Sequence, residues 1–150
     1  MGEKEKQKSD IIDEISIQKF VLIKKVLSNR SCDVDKVIDD SGGLRIYVTY
    51  HDNSEVIIFF THNHISYMIS DEGDRLVIID EIIKSGHKGT GFFYVNNSEY
   101  LKWLTEQKYN AFNYTEEATH YMIVTNNTIV DIISYDEPKV YKDSNGFIIE

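Results

Sequence analysis

His120 and Asp131 are the two residues whose types and spacing most directly suggest chemistry. They lie in two runs rich in β-branched residues, Ala118–Thr125 and Thr128–Ser134, which Asn126-Asn127 separates. Two such runs around a two-residue turn that tolerates positive φ predict a β-hairpin. In this hairpin His120 and Asp131 are diagonal neighbours on one face, with backbones about 7–8 Å apart, so we expect their side chains to meet.

The predicted register leaves two interpretations of this pair open. It places Val124 opposite Ile129, Met122 opposite Asp131 and His120 opposite Ile133. A carboxylate that orients a histidine suits a general base, which predicts a small-ligand-binding or hydrolytic domain. A structural hydrogen bond in a half-buried sheet needs the same spacing, and the sequence places no nucleophile beside the pair. We expect the structural role and keep the catalytic role as the alternative.

Three other motifs lack the full pattern of a metal or phosphate site. His62-Asn63-His64 supplies two histidines, which leave at least one zinc ligand unnamed. The acidic segment from Asp33 to Gly42 does not place oxygen ligands where a calcium loop requires them. Gly86–Gly91 carries Lys88 in front of Gly89, whereas the Walker motif requires its lysine after the last glycine and a helix behind it. The sequence therefore predicts no bound metal and no cofactor.

The charge of the chain indicates the kind of partner. Sixteen Lys and Arg residues against 25 Asp and Glu residues give a formal net charge of −9 at pH 7. Residues 31–83 alone hold eleven acidic and three basic residues. Such a surface repels phosphate, so we expect no nucleic-acid binding. It would speed the encounter with a basic protein.

Tyrosines accompany acidic residues in two predicted connections of the chain, residues 109–117 and 135–137, and residues 71–74 form a third connection that is acidic without tyrosine. Tyrosine is a frequent anchor of protein interfaces, and exposed carboxylates attract basic partners. The sequence therefore predicts a partner-binding surface formed by Asp71, Glu72, Asp74, Tyr109, Tyr114, Glu116, Glu117, Tyr135, Asp136 and Glu137.

In size, acidity and composition the chain is similar to bacterial immunity proteins, which are small acidic cytoplasmic α+β proteins that bind and block a toxin, often a basic nuclease. No specific motif carries this similarity. It implies a non-enzymatic protein-binding module that inhibits a basic bacterial toxin by direct binding. A phage or host accessory protein with another partner is a further alternative, and the oligomeric state stays open.

The composition predicts a folded cytoplasmic protein. The 150 residues are 41% hydrophobic and 27% charged, which excludes a wholly disordered chain. No apolar run approaches the roughly 18 residues of a membrane span, so we expect no membrane contact. Residues 1–8 are charged, lack the apolar segment of a secretory signal and predict a disordered tail before one domain over residues 9–150. The lone Cys32 cannot form an internal disulfide.

Hydrophobic spacing predicts an α+β fold in which an antiparallel meander and hairpins pack against two or three helices. Strands are expected at Leu44–Tyr50, Glu55–Thr61 and Ile65–Ser70, which form the meander, and at Phe92–Val95. After the hairpin that carries His120, a last hairpin is expected from Val140–Tyr141 and Phe147–Ile149.

Helical spacing is found in three segments. A helix is expected over residues 10–28, although alternation at Ile15, Ile17, Val21 and Ile23 also suits a strand. Arg75–Ser85 predicts a helix that ends at Gly86 and turns Leu76, Ile79 and Ile83 inward. Ser98 or Asn97 is expected to cap a helix ending near Gln107, with Leu101 and Leu104 inward. A short helical turn near Val34–Ile38 and a loop over residues 108–117 complete the expectation.

Overall fold

The computed structural model describes residues 17–23, 26–27, 30–61, 63–142 and 147–148. In these ranges the chain forms ten strands: β1 (Lys19–Leu22), β2 (Cys32–Asp40), β3 (Gly43–Tyr50), β4 (Glu55–Phe60), β5 (His64–Asp71), β6 (Gly91–Asn96), β7 (Thr119–Val124), β8 (Thr128–Ser134), β9 (Lys139–Lys142) and β10 (Phe147–Ile148). Three short helices accompany them: α1 (Leu76–Lys84), α2 (Glu99–Gln107) and α3 (Tyr114–Glu117). Antiparallel sheets with short helices place the chain in the predicted α+β class.

Two five-stranded sheets divide the strands between them. Sheet 1 has the order β1-β6-β7-β8-β5, and sheet 2 has the order β10-β9-β4-β3-β2. Their facing sides share one hydrophobic cluster, which contains Ile46 and Ile58 of sheet 2 together with Ile123 and Ile132 of sheet 1. The two sheets therefore pack face to face, and burial of these side chains is the main favourable contribution to the fold.

The helices cover the other face of sheet 1. Ile82 of α1 packs among apolar residues of β1, β6, β7 and β8, and Leu101 of α2 packs with Tyr114 of α3 and Ile133 of β8. Sheet 1 is thus the middle layer, with sheet 2 on one side and the helices on the other. Side chains alternate between the two faces of a strand, and because both faces of sheet 1 are covered, nearly all residues of β7 and β8 are buried.

The hairpin of β7 and β8 has the predicted register. Val124 lies opposite Ile129, and Met122 lies opposite Asp131. The turn itself differs from the expectation, because positive φ among the described residues falls elsewhere and not at Asn126 or Asn127. The side-chain hydroxyl of Thr125 closes the turn instead, by donating to the carbonyl oxygen of Thr128 over 2.8 Å and accepting from its N–H over 3.1 Å.

The predicted meander is wrong in its third strand. β3 and β4 pair as expected, but β5 leaves them and pairs with β8 in sheet 1. The free side of β4 is taken by β9, with Val56 opposite Lys142. A partner so distant in the sequence leaves no signal in local spacing, whereas neighbouring strands usually pair with each other.

The helical turn expected near Val34–Ile38 is a strand. β2 pairs with β3, and the register shifts between Val34 and Lys36. This bulge puts an extra residue between Val34 and Val37, so both side chains pack against the core although they are three positions apart. A spacing of three on one strand face imitates a helical pattern.

The position of β1 decides between helix and strand for part of residues 10–28. Lys19–Leu22 forms β1, antiparallel to β6, so the strand alternative applies there and the helix prediction is wrong for these residues. Residues 1–16 lie outside the described part, and with them the predicted tail and the start of that helix.

The remaining elements follow the sequence closely. α1 ends where Gly86 adopts a φ of +90°, and Ser98 caps α2 by accepting the N–H of Leu101 over 3.1 Å. The expected loop over residues 108–117 contains the short α3, and β9 pairs antiparallel with β10 as predicted. Within the described ranges, no helix has the length and apolar character that crossing a membrane requires.

Candidate functional site

The β7–β8 hairpin brings His120 and Asp131 into direct contact. His120 Nε2 lies 2.7 Å from Asp131 Oδ1. Both side chains point to the helix-covered face of sheet 1, as the register requires. The diagonal contact that the sequence predicts is therefore present.

Two further side chains extend this pair into a row. Ser98 Oγ lies 2.7 Å from His120 Nδ1, and Arg75 donates from Nη1 to Asp131 Oδ2 over 2.9 Å. The same Arg75 nitrogen also donates to Ser70 Oγ over 3.1 Å. The row, which we call the polar row, consists of Ser98, His120, Asp131, Arg75 and Ser70 and connects the start of α2, strands β7 and β8, the start of α1 and strand β5.

A Ser, a His and an Asp in line resemble a hydrolase triad, but here the row is closed. Only 2% of Ser98, 2% of His120 and 1% of Asp131 is exposed. A neutral His120 gives the side chains of Ser98, His120 and Asp131 hydrogen-bond partners: its Nε2–H donates to Asp131, and its Nδ1 accepts the hydroxyl proton of Ser98. The Ser98 oxygen meanwhile accepts the Leu101 N–H. This arrangement can hold helices on a sheet, but it offers no accessible nucleophile.

Tyr100 covers the row from the helix side. Its ring centroid lies 5.5 Å from that of His120, and its hydroxyl forms a hydrogen bond with Ser66 Oγ of β5. Burial raises the pKa of Tyr100, the bond to Ser66 lowers it, and the charge of Asp131 raises it further. The tyrosine therefore stays neutral and closes the outer side of the row.

Sequence reasoning found two members of the row and missed Ser98, Arg75 and Ser70. The sequence predicts Ser98 only as a helix cap. Because this cap follows β6 directly, it also had to lie near the strand that pairs with β6. Arg75 and Ser70 left no signal, because their contact with Asp131 depends on how β5 and α1 meet sheet 1.

The predicted partner-binding residues lie at two ends of sheet 1. Asp71, Glu72 and Asp74 are at the end where Asp71 lies opposite Thr128. The others lie near the end where His64 pairs with Ser134: Tyr109, Tyr114, Glu116, Glu117, Tyr135, Asp136 and Glu137. Six residues along β8 separate the ends by about 20 Å, so the predicted set does not form one patch.

The members of the second group differ in exposure. Tyr109 is 95% exposed, whereas Tyr114 is 6% exposed and packs with Leu101 in the core. Asp136 accepts hydrogen bonds from Asn63 over 2.6 Å and from Thr61 over 2.8 Å. These bonds, that from Asn63 above all, lower the pKa of Asp136. Tyr114 thus supports the fold and is not an exposed anchor.

α1 presents apolar residues to solvent, against the sequence prediction. Leu76 is 62%, Val77 71% and Ile83 52% exposed. The helix packs on the sheet through Ile82, with Ile78 and Ile79 partly buried, so the expected inward positions of Leu76 and Ile83 are wrong. α1 is apolar on more than the face that sheet 1 covers, and spacing alone does not reveal which apolar stripe a sheet will bury.

A metal site has no support in the described part of the chain, where no group of three or more His, Cys, Asp or Glu side chains could hold an ion. His62 lies outside that part. His64 approaches Asp39, with Nε2 3.4 Å from Oδ1. Cys32 is fully buried, and burial above all raises the pKa of its thiol to about 11.

The Gly86–Gly91 loop borders a surface cavity of about 390 Å³ that also contacts Arg30 and Glu72. Two groups in its lining are already engaged: Thr90 donates to backbone carbonyl oxygens, and Arg30 pairs with Asp52 over 2.8 Å. Thr90 and Arg30 are therefore not free to bind a phosphate, and Glu72 in the same lining would repel one.

Comparison with known proteins adds no relative. No family model matches the chain, and no curated protein or solved structure is significantly similar to it. The geometry and chemistry of the described residues therefore carry the functional argument.

Proposed function

We propose that the protein is a non-enzymatic, acidic protein-binding module that inhibits a basic bacterial toxin by direct binding. The observation that carries the proposal is the exposed apolar surface of α1, formed by Leu76, Val77 and Ile83. Large aliphatic side chains grouped on one short helix are uncommon on monomeric proteins and mark interaction sites.

Acidic residues border this surface. Asp71, Glu72 and Asp74 precede α1, and Asp80 lies on its exposed side. Arg75, at the start of α1, is paired with Asp131 and does not offset them, and the exposed Lys84 lies at the opposite end of α1. An apolar centre with an acidic rim suits a partner that carries apolar residues among lysines and arginines.

Inhibition of a toxin is the specific form of this proposal. A net charge of −9 would steer the protein to a basic nuclease, and α1 would then cover the basic face that the enzyme needs for its substrate. A phage or host accessory protein would bind through the same surface, and the identity of the partner distinguishes the two.

The test is a pull-down from a lysate of the source cell at low and at high salt, followed by an activity assay of the captured partner. We expect one stoichiometric basic protein, whose capture weakens with salt and whose activity falls on binding. The triple variant Asp71→Asn, Glu72→Gln, Asp74→Asn should lose it. The matched variant Glu116→Gln, Glu117→Gln, Glu137→Gln at the other end of sheet 1 should retain it.

An association rate that does not change with salt would contradict steering by the acidic surface. Equal retention by both triple variants would contradict the placement of the partner at α1.

Catalysis by His120 and Asp131 is the alternative with less support, because the polar row is buried and fully hydrogen-bonded. His120→Ala separates the two. A loss of ligand binding with unchanged stability would support a ligand site, whereas a loss of stability alone supports the structural role.

A further inference from the structure

β5 is the least buried long strand of the molecule. It closes sheet 1 on one side, beyond β8, and none of its eight residues is buried. Ile69 is half exposed, and Met68 on the helix side is also exposed. An edge strand presents unpaired N–H and C=O groups that can pair with a strand of another chain.

Within the described ranges no strand pairs with the outer edge of β5, which we call the open edge. Among the described residues, no backbone hydrogen bond outside the ladder with β8 involves residues 65–70. This stretch contains no charged residue and no proline, which are the features that usually protect an edge from pairing.

β2, the edge of sheet 2 on the same side, is protected in three ways. It carries Asp33, Asp35, Lys36, Asp39 and Asp40, and its register is broken by a bulge. The side-chain amide of Asn127 also pairs with the backbone of Val34, over 3.0 Å to the N–H and 3.3 Å to the carbonyl oxygen. The contrast with β5 indicates that the open edge is not a general property of this fold.

Carboxylates lie at both ends of the open edge. Asp39 of β2 contacts His64 at the start of β5, and Tyr67 of β5 packs against the same core as Val34 and Val37 of β2. The acidic residues 71, 72 and 74 follow at the other end of β5. An added strand would therefore have acidic groups near both of its ends and Met68 on its helix side.

We propose that β5 accepts an extended segment of the partner as a sixth strand of sheet 1. The segment alternates apolar side chains with lysines or arginines, whose charges would lie near Asp39 at one end of β5 and near residues 71, 72 and 74 at the other. Backbone hydrogen bonds supply affinity, and the alternating side chains supply selectivity. This inference rests on the proposed function and specifies how the basic partner is held.

The experiment uses a fluorescein-labelled peptide of four Val-Lys repeats, with acetylated and amidated ends, and the full chain. We expect saturable binding by fluorescence anisotropy and slower amide hydrogen exchange at residues 65–70. The same peptide N-methylated at every residue keeps its charge but cannot form the ladder, so its affinity should fall by about tenfold or more. Four Val-Glu repeats should not bind.

Two protein variants with the same change of charge locate the site. Ile69→Lys places a cation on the edge and should weaken the peptide by about tenfold. Ile17→Lys places it before β1, at the opposite edge of sheet 1, and should change the affinity by less than about twofold. Circular dichroism of both variants verifies the fold.

Equal binding of the methylated and unmethylated peptides, or no binding of the Val-Lys peptide at 1 mM (a concentration set for the assay, about the limit of a weak complex), would overturn strand addition. The captured natural partner then distinguishes the two proposals. If Val77→Lys releases it and Ile69→Lys does not, the binding module stands and the strand mode falls.

Discussion

Asp131 holds two helices to sheet 1 through one carboxylate. Its Oδ1 contacts His120, which reaches Ser98 at the start of α2, and its Oδ2 accepts from Arg75 at the start of α1. The charge is almost fully buried and has two partners. Removal of one member leaves the others buried without their partners, which costs more than the bonds themselves.

Asp131→Ala should therefore lower the free energy of unfolding by about 3–5 kcal/mol, because Arg75 and His120 lose a shared acceptor inside the protein. Urea denaturation at pH 7 measures the effect. The control is Asp80→Ala on the exposed side of α1, expected to stay within about 0.5 kcal/mol. A cost below about 1 kcal/mol for Asp131→Ala would show that the row is not structural.

The buried Cys32 thiol makes the stability of the protein depend on pH in the alkaline range. Its thiol pKa is raised from 9.0 to about 11, mainly by burial. Because the folded state favours the neutral thiol, this contribution to stability is fully present below pH 9 and is lost as pH rises towards about 11. Cys32→Ala should remove this part of the decline.

Urea denaturation of wild type and Cys32→Ala between pH 8 and pH 11 checks this expectation. Buried tyrosines titrate in the same range in both proteins, so the difference between the two slopes is the quantity that reports on Cys32. Parallel slopes would mean that the thiol does not resist ionisation in the folded state.

Among single contacts, the sequence predicted the one between His120 and Asp131, because alternating side chains and a short turn determine the register of a hairpin. It could not predict that the pair is closed by Ser98 and Arg75. Those contacts depend on the packing of α1 and α2 over sheet 1, and helix packing leaves no spacing rule between distant segments.

Among the elements, the β7–β8 turn has a second task besides joining two strands. Asn127 bonds the backbone of Val34, and the backbone N–H of Asn126 donates to the carbonyl oxygen of Cys32 over 2.9 Å. The turn of sheet 1 thereby fastens an edge strand of sheet 2.

Asn127→Ala should lower the free energy of unfolding by about 1–3 kcal/mol, because two hydrogen bonds to β2 are lost. Asn126→Ala is the matched control: its contact with Cys32 uses the backbone, so its cost should be within about 0.5 kcal/mol. Thermal or urea unfolding of both variants measures the difference. Equal losses of stability in the two variants would show that only the backbone of the turn holds β2.

The sequence predicted helices and strands correctly where a local signal marks them. It failed where packing against another segment determines the structure. Ser98 and Gly86 set the limits of helices through capping and positive φ, which are local. The bulge in β2 shifted the apolar spacing towards a helical one, and the face of α1 that is buried depended on sheet 1. Such choices are made by tertiary packing.

For the whole molecule, the excess of acidic residues should limit stability. A net charge of −9 makes the compact state repel itself, and salt screens that repulsion. We expect the melting temperature to rise by about 2–4 °C between 10 mM and 300 mM NaCl (two concentrations chosen for the assay), as about 1 kcal/mol of relief would produce.

Differential scanning calorimetry at the two salt concentrations tests this. The variant Glu116→Gln, Glu117→Gln, Glu137→Gln has three fewer charges and should show a smaller rise. A melting temperature that falls with salt would indicate that favourable ion pairs outweigh the repulsion.

The class of the fold was predictable from composition and spacing, but the pairing of its sheets was not. β5 joins β8 and β9 joins β4, and both partnerships connect segments far apart in the chain. Hydrophobic runs that follow each other in the sequence predict a meander, because consecutive strands usually pair. The observed strand order therefore becomes visible only in the structure, where both sheets are present.

The interleaving of the two sheets has a consequence for how the protein is made. Phe20 pairs with Val95, Met68 with Asp131 and Val56 with Lys142, so sheet 1 is incomplete until the ribosome has produced Ser134 and sheet 2 until it has produced Ile148. A nascent chain of half this length carries β2–β4 without β9 and an unpaired β5. Contacts of such long range form slowly and leave apolar strands exposed meanwhile. The native fold should therefore appear with a delay after synthesis of the chain, and during that delay the exposed strands are open to aggregation.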